Sequence, residues 1–295
     1  MSTSVLYDAQ GPVARRRTRI GTVAGVVVVL GIAYLVVSRL AERGQFDWEL
    51  WAPLLSPGDE QFQSVWRVLW GGLLNTLQAA AIAMVLSVTL GTLIAVARLS
   101  LGRTARLPLV ALVELLRGAP VVILIYLCVR ALPDIGLDFR SWYGGRELWG
   151  LVIGLTLYNM VVFAEVVRAG VLSLPRGQRE AGLATGLTQG QTMRLVLLPQ
   201  AFRVMLPALI SQLVVVLKDT SLVAFVGNYP ELLRQGENVQ RNLDNPIQTF
   251  TVIALIYIAI NYTLGKAAEK IQSRQSGGGR SAAAQVEQQT TTAGA

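Results

Sequence analysis

The chain has 295 residues, of which 53% are hydrophobic and only 15% are charged. Because soluble domains carry charge on about a quarter of their residues, this composition points to the lipid bilayer. The net charge of +8 does not indicate nucleic-acid binding, since the basic residues lie at the ends of apolar runs and form no stripe interleaved with aromatic residues.

The first element is an apolar run from Ile20 to Ser38, which follows the basic stretch Arg15-Arg16-Arg17-Thr18-Arg19. A basic stretch followed by an apolar run resembles a secretory signal peptide. The run is long for the apolar region of such a peptide, however, and no small-x-small cleavage pattern precedes Arg39. We therefore interpret it as a retained membrane span.

Five further apolar runs are long enough to cross the hydrocarbon core, which requires about 20 residues. The predicted fold class is therefore all-α integral membrane, with six transmembrane helices. The predicted spans are 20–38, 68–97, 108–132, 148–172, 201–222 and 248–265.

Basic residues are distributed unevenly between the two sets of loops. If the N-terminus is cytoplasmic, fifteen Lys and Arg residues lie in the inside segments and six in the outside segments. This bias follows the positive-inside rule, so both termini of this multi-pass protein of the inner or plasma membrane are predicted to be cytoplasmic.

The predicted organisation has four parts. Residues 1–19 form a cytoplasmic basic N-terminus, and residues 20–64 hold the extra helix and an extracytoplasmic segment. Residues 65–270 form one membrane domain. The tail 271–295 is rich in Gly, Ser, Gln, Thr and Ala and is predicted to be a disordered cytoplasmic segment.

A polar segment of residues 174–200 separates the fourth and fifth spans. Pro175 and Gly177 end the fourth span, Gln178 to Thr185 has good helix formers, and Gly186 has the place of a C-terminal glycine. A second short helix from Gln189 is predicted to lead to Pro199. A segment this long and this well punctuated favours a function, the alternative being an amphipathic connector on the membrane surface.

The order Glu180-Ala181-Gly182, then Gly186, then Val196-Leu197-Leu198-Pro199 resembles the cytoplasmic loop of permeases of binding-protein-dependent ABC importers. The third motif position is Gly rather than Ala. The resemblance implies that the loop forms a coupling helix seated in a groove of a separate ATPase subunit. The residues that it assigns to ATPase coupling are Gly177, Glu180, Ala181, Gly182, Gly186 and Pro199.

Further motifs resemble the polar amino acid branch of that family over about residues 65–270. They are Leu116–Pro120, Arg168-Ala169-Gly170, Gly177–Ala181 and Lys218–Leu222. The resemblance implies a five-helix permease core of the type I ABC importer behind the extra first helix. It also implies several partners: a dimer of the ATPase, a second permease subunit (identical or related), an extracytoplasmic substrate-binding protein and the surrounding membrane lipid.

Ionisable groups inside a membrane are costly and usually functional. Glu114 and Arg117 share one helix face, as do Glu165 and Arg168, so each pair either borders the substrate path or neutralises itself and helps packing. Pro120 predicts a broken helix at a depth where a break must face protein or a water-filled cavity. We expect it to border the translocation path, a simple packing kink being the alternative.

Other candidates for the substrate path lie on the fourth and fifth spans. Lys218, Asp219, Thr220 and Ser221 lie where the fifth span nears the outer face and could meet the polar head of an amino acid. Asn159, in the fourth span, is a further candidate, with an interhelical hydrogen bond as its alternative role.

The sequence also lacks several chemical sites. Cys128 is the one cysteine and histidine is absent, so no cysteine metal cluster forms within the chain and the commonest metal ligand is missing. The one Gly-Lys pair, Gly265-Lys266, lacks the upstream glycine of a phosphate-binding loop. We expect no cofactor or metal on this chain and no enzyme activity, with ATP and Mg²⁺ used by the partner ATPase.

The predicted function is an ATP-driven import permease for a polar amino acid, with glutamate favoured and glutamine or a basic amino acid as alternatives. A secondary transporter driven by an ion gradient is the first rival, but it usually shows an internal repeat, and none is evident. A membrane scaffold or receptor is the second, and it leaves the kinked, charged third span unexplained.

Overall fold

The structure is a computed structural model that describes the backbone of residues 11–292 and the side chains of residues 11–270. Twelve α-helices, with one π-helical stretch and one 3-10 turn, make up this described part, which contains no β-strand. The helices are α1 Pro12–Glu42, α2 Trp48–Leu55, α3 Phe62–Ser100, α4 Arg103–Gly118, α5 Val121–Asp134, α6 Gly145–Leu172, α7 Arg176–Ala184, α8 Gln189–Thr192, α9 Leu198–Asp219, α10 Val223–Val226, α11 Leu232–Leu243 and α12 Pro246–Thr292. The all-α prediction is confirmed.

The chain divides into two compact units, the first ending at Phe62 and the second beginning at Gln63. The first unit holds α1 and α2. No residue of α1 is buried, and its apolar side chains, such as Val29 and Leu30, are exposed along its length. The functions assigned to the predicted segments stay predictions.

Within the described residues, five helices are long and apolar enough to cross a membrane, and a sixth span arises if α4 and α5 are taken together. Runs of this kind form helices because a helix satisfies its own backbone hydrogen bonds where water is absent. The expected third span, 108–132, is however two helices whose axes are bent by 100° at Ala119 and Pro120. The break predicted at Pro120 is present, and it is larger than a simple kink.

The central helix is α6, which packs against α3, α4, α5 and α9. Small residues let these helices approach: a Cβ at Gly154 would lie 2.6 Å from the Ile125 Cα atom, and one at Gly150 would lie 2.8 Å from the Val129 Cα atom. Because α5 passes directly over this Gly-x-x-x-Gly face, α6 holds α5 at backbone distance.

Two buried apolar groups flank α6 along its length. The first lies around its N-terminal half, with Leu148, Leu151 and Leu155 packed among α3, α5, α9 and α10. The second lies around its C-terminal half, where Phe163 and Val167 pack against α3 and α9. These two cores hold α3, α6 and α9 together and so position the polar groups between them.

The last helix, α12, continues to Thr292. Its backbone therefore runs through most of the tail for which the sequence predicts disorder. The side chains of 271–295 lie outside the described residues, and the disorder stays a prediction.

Candidate functional site

The polar segment between α6 and α9 is a helical hairpin, built from α7 and α8. The predicted helix Gln178 to Thr185 is observed as Arg176–Ala184, beginning directly after Pro175. It ends at Gly186, which has a φ of 83°. The Gly186 N–H donates to the Leu183 carbonyl, and the Leu187 N–H donates to the Gly182 carbonyl. This is a Schellman ending, so Gly186 is the C-terminal glycine that the sequence predicts.

The second helix of the hairpin begins at Gln189, as predicted. Its first turn is closed by a capping box in which the Thr188 hydroxyl accepts from the Gln191 N–H while the Gln191 side chain accepts from the Thr188 N–H. A π-helical stretch, Met193–Leu197, then joins α8 to α9, and Pro199 lies in the first turn of α9. The Gln200 side chain donates to Gln178, which ties α9 back to α7.

Gly182 is the one buried residue of α7. A Cβ at this position would lie 2.7 Å from the Cγ2 atom of Thr192 and 3.2 Å from its hydroxyl oxygen. Thr192 is only 1% exposed, and so it has little room to move away. The Gly that replaces the expected Ala of the motif is therefore explained by the Thr192 side chain packed over it.

The remaining residues assigned to coupling lie on the surface of the hairpin. Gly177, Glu180, Ala181, Gly186 and Pro199 are all exposed. The helix thus exposes a carboxylate and small residues while Gly182 packs against Thr192 of α8. Such an exposed surface is suited to binding by a partner protein.

A second polar group links α3 to α6. The Glu165 carboxylate accepts from the Arg168 Nε atom at 2.9 Å, which is the pair that the sequence predicts. Its other oxygen accepts from Arg98, at the end of α3, whose side chain is 12% exposed. The sequence did not identify Arg98 as a partner of Glu165, because the two residues are 67 positions apart and no local pattern connects them.

Asn159 and Gln212 form a third polar contact, between α6 and α9. The Gln212 side chain donates to the Asn159 Oδ1 atom at 2.8 Å, and Asn159 itself donates to the Leu155 carbonyl at 2.9 Å. Asn159 is fully buried. The structure therefore gives it the interhelical hydrogen bond that the sequence left as an alternative, with Gln212 as the partner.

The pair on α4 differs from the one on α6. Glu114 and Arg117 are 3.9 Å apart, and both side chains are more than half exposed. In the described part of the chain no ion pair joins them to Glu165 or to Arg168. The Glu114–Arg117 pair, which precedes the helix break at Pro120, is therefore separate from the ion-pair network on α6.

The polar side chains at the end of α9 mostly form hydrogen bonds within their own segment. The hydroxyl of Thr220 donates to the Leu217 carbonyl and that of Ser221 donates to the Lys218 carbonyl, each at 2.7 Å. Thr220 is buried and Asp219 is half-buried, while Lys218 is exposed. Of these four residues Lys218 alone is both charged and exposed.

Beyond α9, a buried carboxylate that the sequence did not single out fastens α11. Glu231 is fully buried and accepts hydrogen bonds from the N–H groups of Leu233 and Arg234 and from the Tyr257 hydroxyl. Burial is the main cause that raises the pKa of Glu231 above its ordinary value. Burial, helped by the charge of Glu231, also raises the pKa of nearby Tyr229 to about 12. No local signal marked Glu231, since Glu is not among the preferred N-cap residues.

Comparison with known proteins places this architecture in a family. The family profile described as "Binding-protein-dependent transport system inner membrane component" matches residues 87–275. The chain is 35% identical over 241 residues to the glutamate transport system permease protein GluD of Corynebacterium glutamicum, covering 82% of this chain and 85% of that one. It is 32% identical over 212 residues to the probable glutamine ABC transporter permease protein GlnP of Bacillus subtilis, covering 70% and 93% of the two chains.

A solved structure described as an amino acid ABC transporter with histidines superimposes with a TM-score of 0.63 at 26% identity, over 72% of this chain and 96% of that chain. The profile spans more than half of the sequence, and the relatives are covered over most of their length. This multi-pass membrane protein therefore belongs to the family of inner membrane components of binding-protein-dependent transport systems.

Proposed function

We propose that the protein is the permease subunit of an ATP-driven importer that moves a polar amino acid, with glutamate favoured, across the cytoplasmic membrane. The observation that carries the proposal is the similarity over most of the chain to permeases named for glutamate and glutamine transport. A cationic residue exposed at the end of α9, Lys218, would suit an acidic substrate.

The chain is proposed to work without an ATP site of its own. A separate ATPase dimer would bind ATP and Mg²⁺, and a second permease subunit would complete the membrane pathway. An extracytoplasmic binding protein would deliver the substrate. The chain itself would carry no cofactor, break no bond and act by switching between inward-facing and outward-facing states.

The α7 hairpin is the proposed coupling element. Its exposed residues include Glu180 and Ala181, whereas Gly182 anchors it against Thr192 and Gln178 anchors it against Gln200. A helix held firmly at its back and free at its front can transmit a push from the ATPase to α6 and α9. The proposal requires the hairpin to lie on the cytoplasmic side, as we infer for both termini from the distribution of basic residues.

The proposed substrate path follows α4, α6 and the end of α9. Pro120 separates α4 from α5, and α6 carries the buried Asn159 and the half-buried Glu165 at two levels. Arg98, Glu165 and Arg168 together carry one excess positive charge, which would favour passage of an anionic side chain. Glu114, Arg117 and Lys218–Ser221 are the further candidates along this path.

Uptake in proteoliposomes that contain the permease, the ATPase and the binding protein tests the proposal. Glu180→Arg should lower ATP-dependent uptake at least about tenfold, a loss of about 1.4 kcal/mol, because it reverses the charge on the surface offered to the ATPase. The matched control is Glu269→Arg, which removes an exposed carboxylate near the middle of α12 and should leave uptake near wild type.

One result would contradict the importer function, and another would contradict the coupling role of the hairpin alone. Uptake driven by an ion gradient without ATP would identify a secondary transporter instead. Full ATP-dependent uptake by Glu180→Arg would leave the importer standing and remove the coupling role of the hairpin.

A further inference from the structure

A cavity of about 510 Å³ lies behind the coupling hairpin. One side is formed by the ends of α3 and α6, including Leu99 and Leu172, and the other by α7, α8 and the π-helical stretch. This volume is within the range of small-molecule sites. The cavity thus has the size to hold part of a ligand at the point where two membrane spans end.

The charges at this cavity are unbalanced. Arg176 and Arg179, one turn apart on α7, both line it, and neither makes an ion pair with any described side chain. Glu180 is the one carboxylate of the lining, which leaves a net charge of +1. The wall also contains Thr192, whose buried hydroxyl has no hydrogen-bond partner among the described residues. The polar side of the cavity therefore favours an anion.

Apolar side chains on both walls of the cavity continue onto exposed surface. Leu172, at the end of α6, is 59% exposed, and Leu183, one turn after Arg179 on α7, is 39% exposed. A free inorganic anion gains nothing from these apolar side chains. A molecule with an anionic head and an apolar body would contact both sides, and at the end of two membrane spans the available molecule of that kind is a phospholipid.

We propose that an anionic phospholipid of the cytoplasmic leaflet binds in this cavity, with its phosphate between Arg176 and Arg179 and the start of an acyl chain against Leu172 and Leu183. The proposal rests on the cytoplasmic position of the hairpin given under the proposed function. Basic pockets at the cytoplasmic ends of spans are suited to such headgroups. A lipid held there would support α7 from behind and so link its position to the membrane composition.

Native mass spectrometry of lipid adducts on the purified transporter complex tests the site. Phosphatidylglycerol and phosphatidylcholine with the same acyl chains are compared. Because Glu180 offsets one of the two arginines, the net charge of +1 corresponds to a preference of about fivefold for the anionic lipid. The double variant Arg176→Gln with Arg179→Gln should lose this preference, and each single variant should lose part of it.

The matched control is the pair Arg103→Gln and Arg106→Gln, which removes two exposed charges at the start of α4, outside the cavity. It should keep the preference. Unchanged phosphatidylglycerol binding in the Arg176 and Arg179 variants would overturn the proposal, as would displacement of the lipid by millimolar inorganic phosphate, which would indicate a free-anion site. Neither readout requires transport, so a failure of the importer proposal in the uptake assay is distinguishable from a failure here.

Discussion

Gly182 illustrates how a single position can depend on a residue that is not its neighbour in the sequence. Within its own helix an alanine would be preferred, because glycine in a helix costs up to about 1 kcal/mol relative to alanine. The Thr192 methyl group lies 2.7 Å from the position that a Cβ at residue 182 would occupy. The absence of a side chain at Gly182 on α7 therefore leaves room for the Thr192 side chain on α8.

Replacing Gly182 should separate the effect of helix propensity from that of the contact with Thr192. Gly182→Ala is expected to lower the stability of the protein by about 1–3 kcal/mol through overpacking, which exceeds the gain in helix propensity. In the background of Thr192→Ala the same change should become neutral or stabilising, since the clashing methyl group is gone. Thermal unfolding of the four purified proteins measures the coupling.

Gly177→Ala is the control on the same helix, because a Cβ there meets nothing within 4 Å. It should raise the unfolding temperature slightly. If the double variant is as unstable as Gly182→Ala alone, then Thr192 is not the reason for the glycine.

At the scale of elements, α11 is fastened to the membrane helices by buried polar groups at its start. Glu231 caps the helix and contacts α12 through Tyr257, while the Leu232 N–H donates to the Thr76 hydroxyl of α3. Asn75 of α3 in turn donates to the Pro230 carbonyl. The position of α11 therefore depends on a carboxylate that forms no ion pair with any described side chain.

The pH dependence of stability should report on Glu231. Its pKa is raised by burial, so the folded protein binds this proton more tightly than the unfolded chain does. The contribution of Glu231 to stability is thus full below its ordinary pKa and is lost as the pH rises through the raised pKa. Glu231→Gln, which cannot titrate, should flatten the unfolding temperature against pH in that window.

Thermal unfolding followed by tryptophan fluorescence from about pH 4 to about pH 8 measures the effect. Glu269→Gln, an exposed carboxylate on α12, should keep the wild-type pH profile. A Glu231→Gln profile parallel to wild type would show that Glu231 does not titrate in this range.

At the scale of the whole molecule, the order of the helices and the charges at their ends together predict the orientation in the membrane. Each span reverses the direction of the chain, so α7 and α11 lie at opposite ends of the bundle if α6 and α9 cross it. Basic residues collect at the end that includes Arg176, Arg179 and Arg194. The positive-inside rule then predicts that the hairpin is cytoplasmic.

Fusions to a topology reporter test this orientation. Alkaline phosphatase fused after Gly145, before α6, should be active, because that end of the helix is predicted to be extracytoplasmic. The same reporter fused after Gly186 in the hairpin should be inactive. The reverse pattern would invert the orientation and remove the coupling proposal with it.

Much of the fold could be predicted because it depends on local patterns. Apolar runs of sufficient length predict the spans, and the glycine at 186 predicts the end of α7, since each reflects residues within a few turns. The helix break predicted at Pro120 is present, but its angle of 100° could not be predicted from the sequence. A proline indicates that a helix breaks, but the direction of the next helix is determined by the Gly150 and Gly154 face on which α5 packs.

The sequence by itself determined that this protein is an all-α membrane protein and which segment its motifs assign to a partner. Only the tertiary structure decided that Arg98 joins Glu165, that Gln212 binds Asn159, and that Glu231 fastens α11. Hydropathy and turn signals act over one or two helical turns, so they can be read along the chain. A hydrogen bond between helices depends on which faces the packed glycines and apolar cores bring together, and that is a property of the folded molecule.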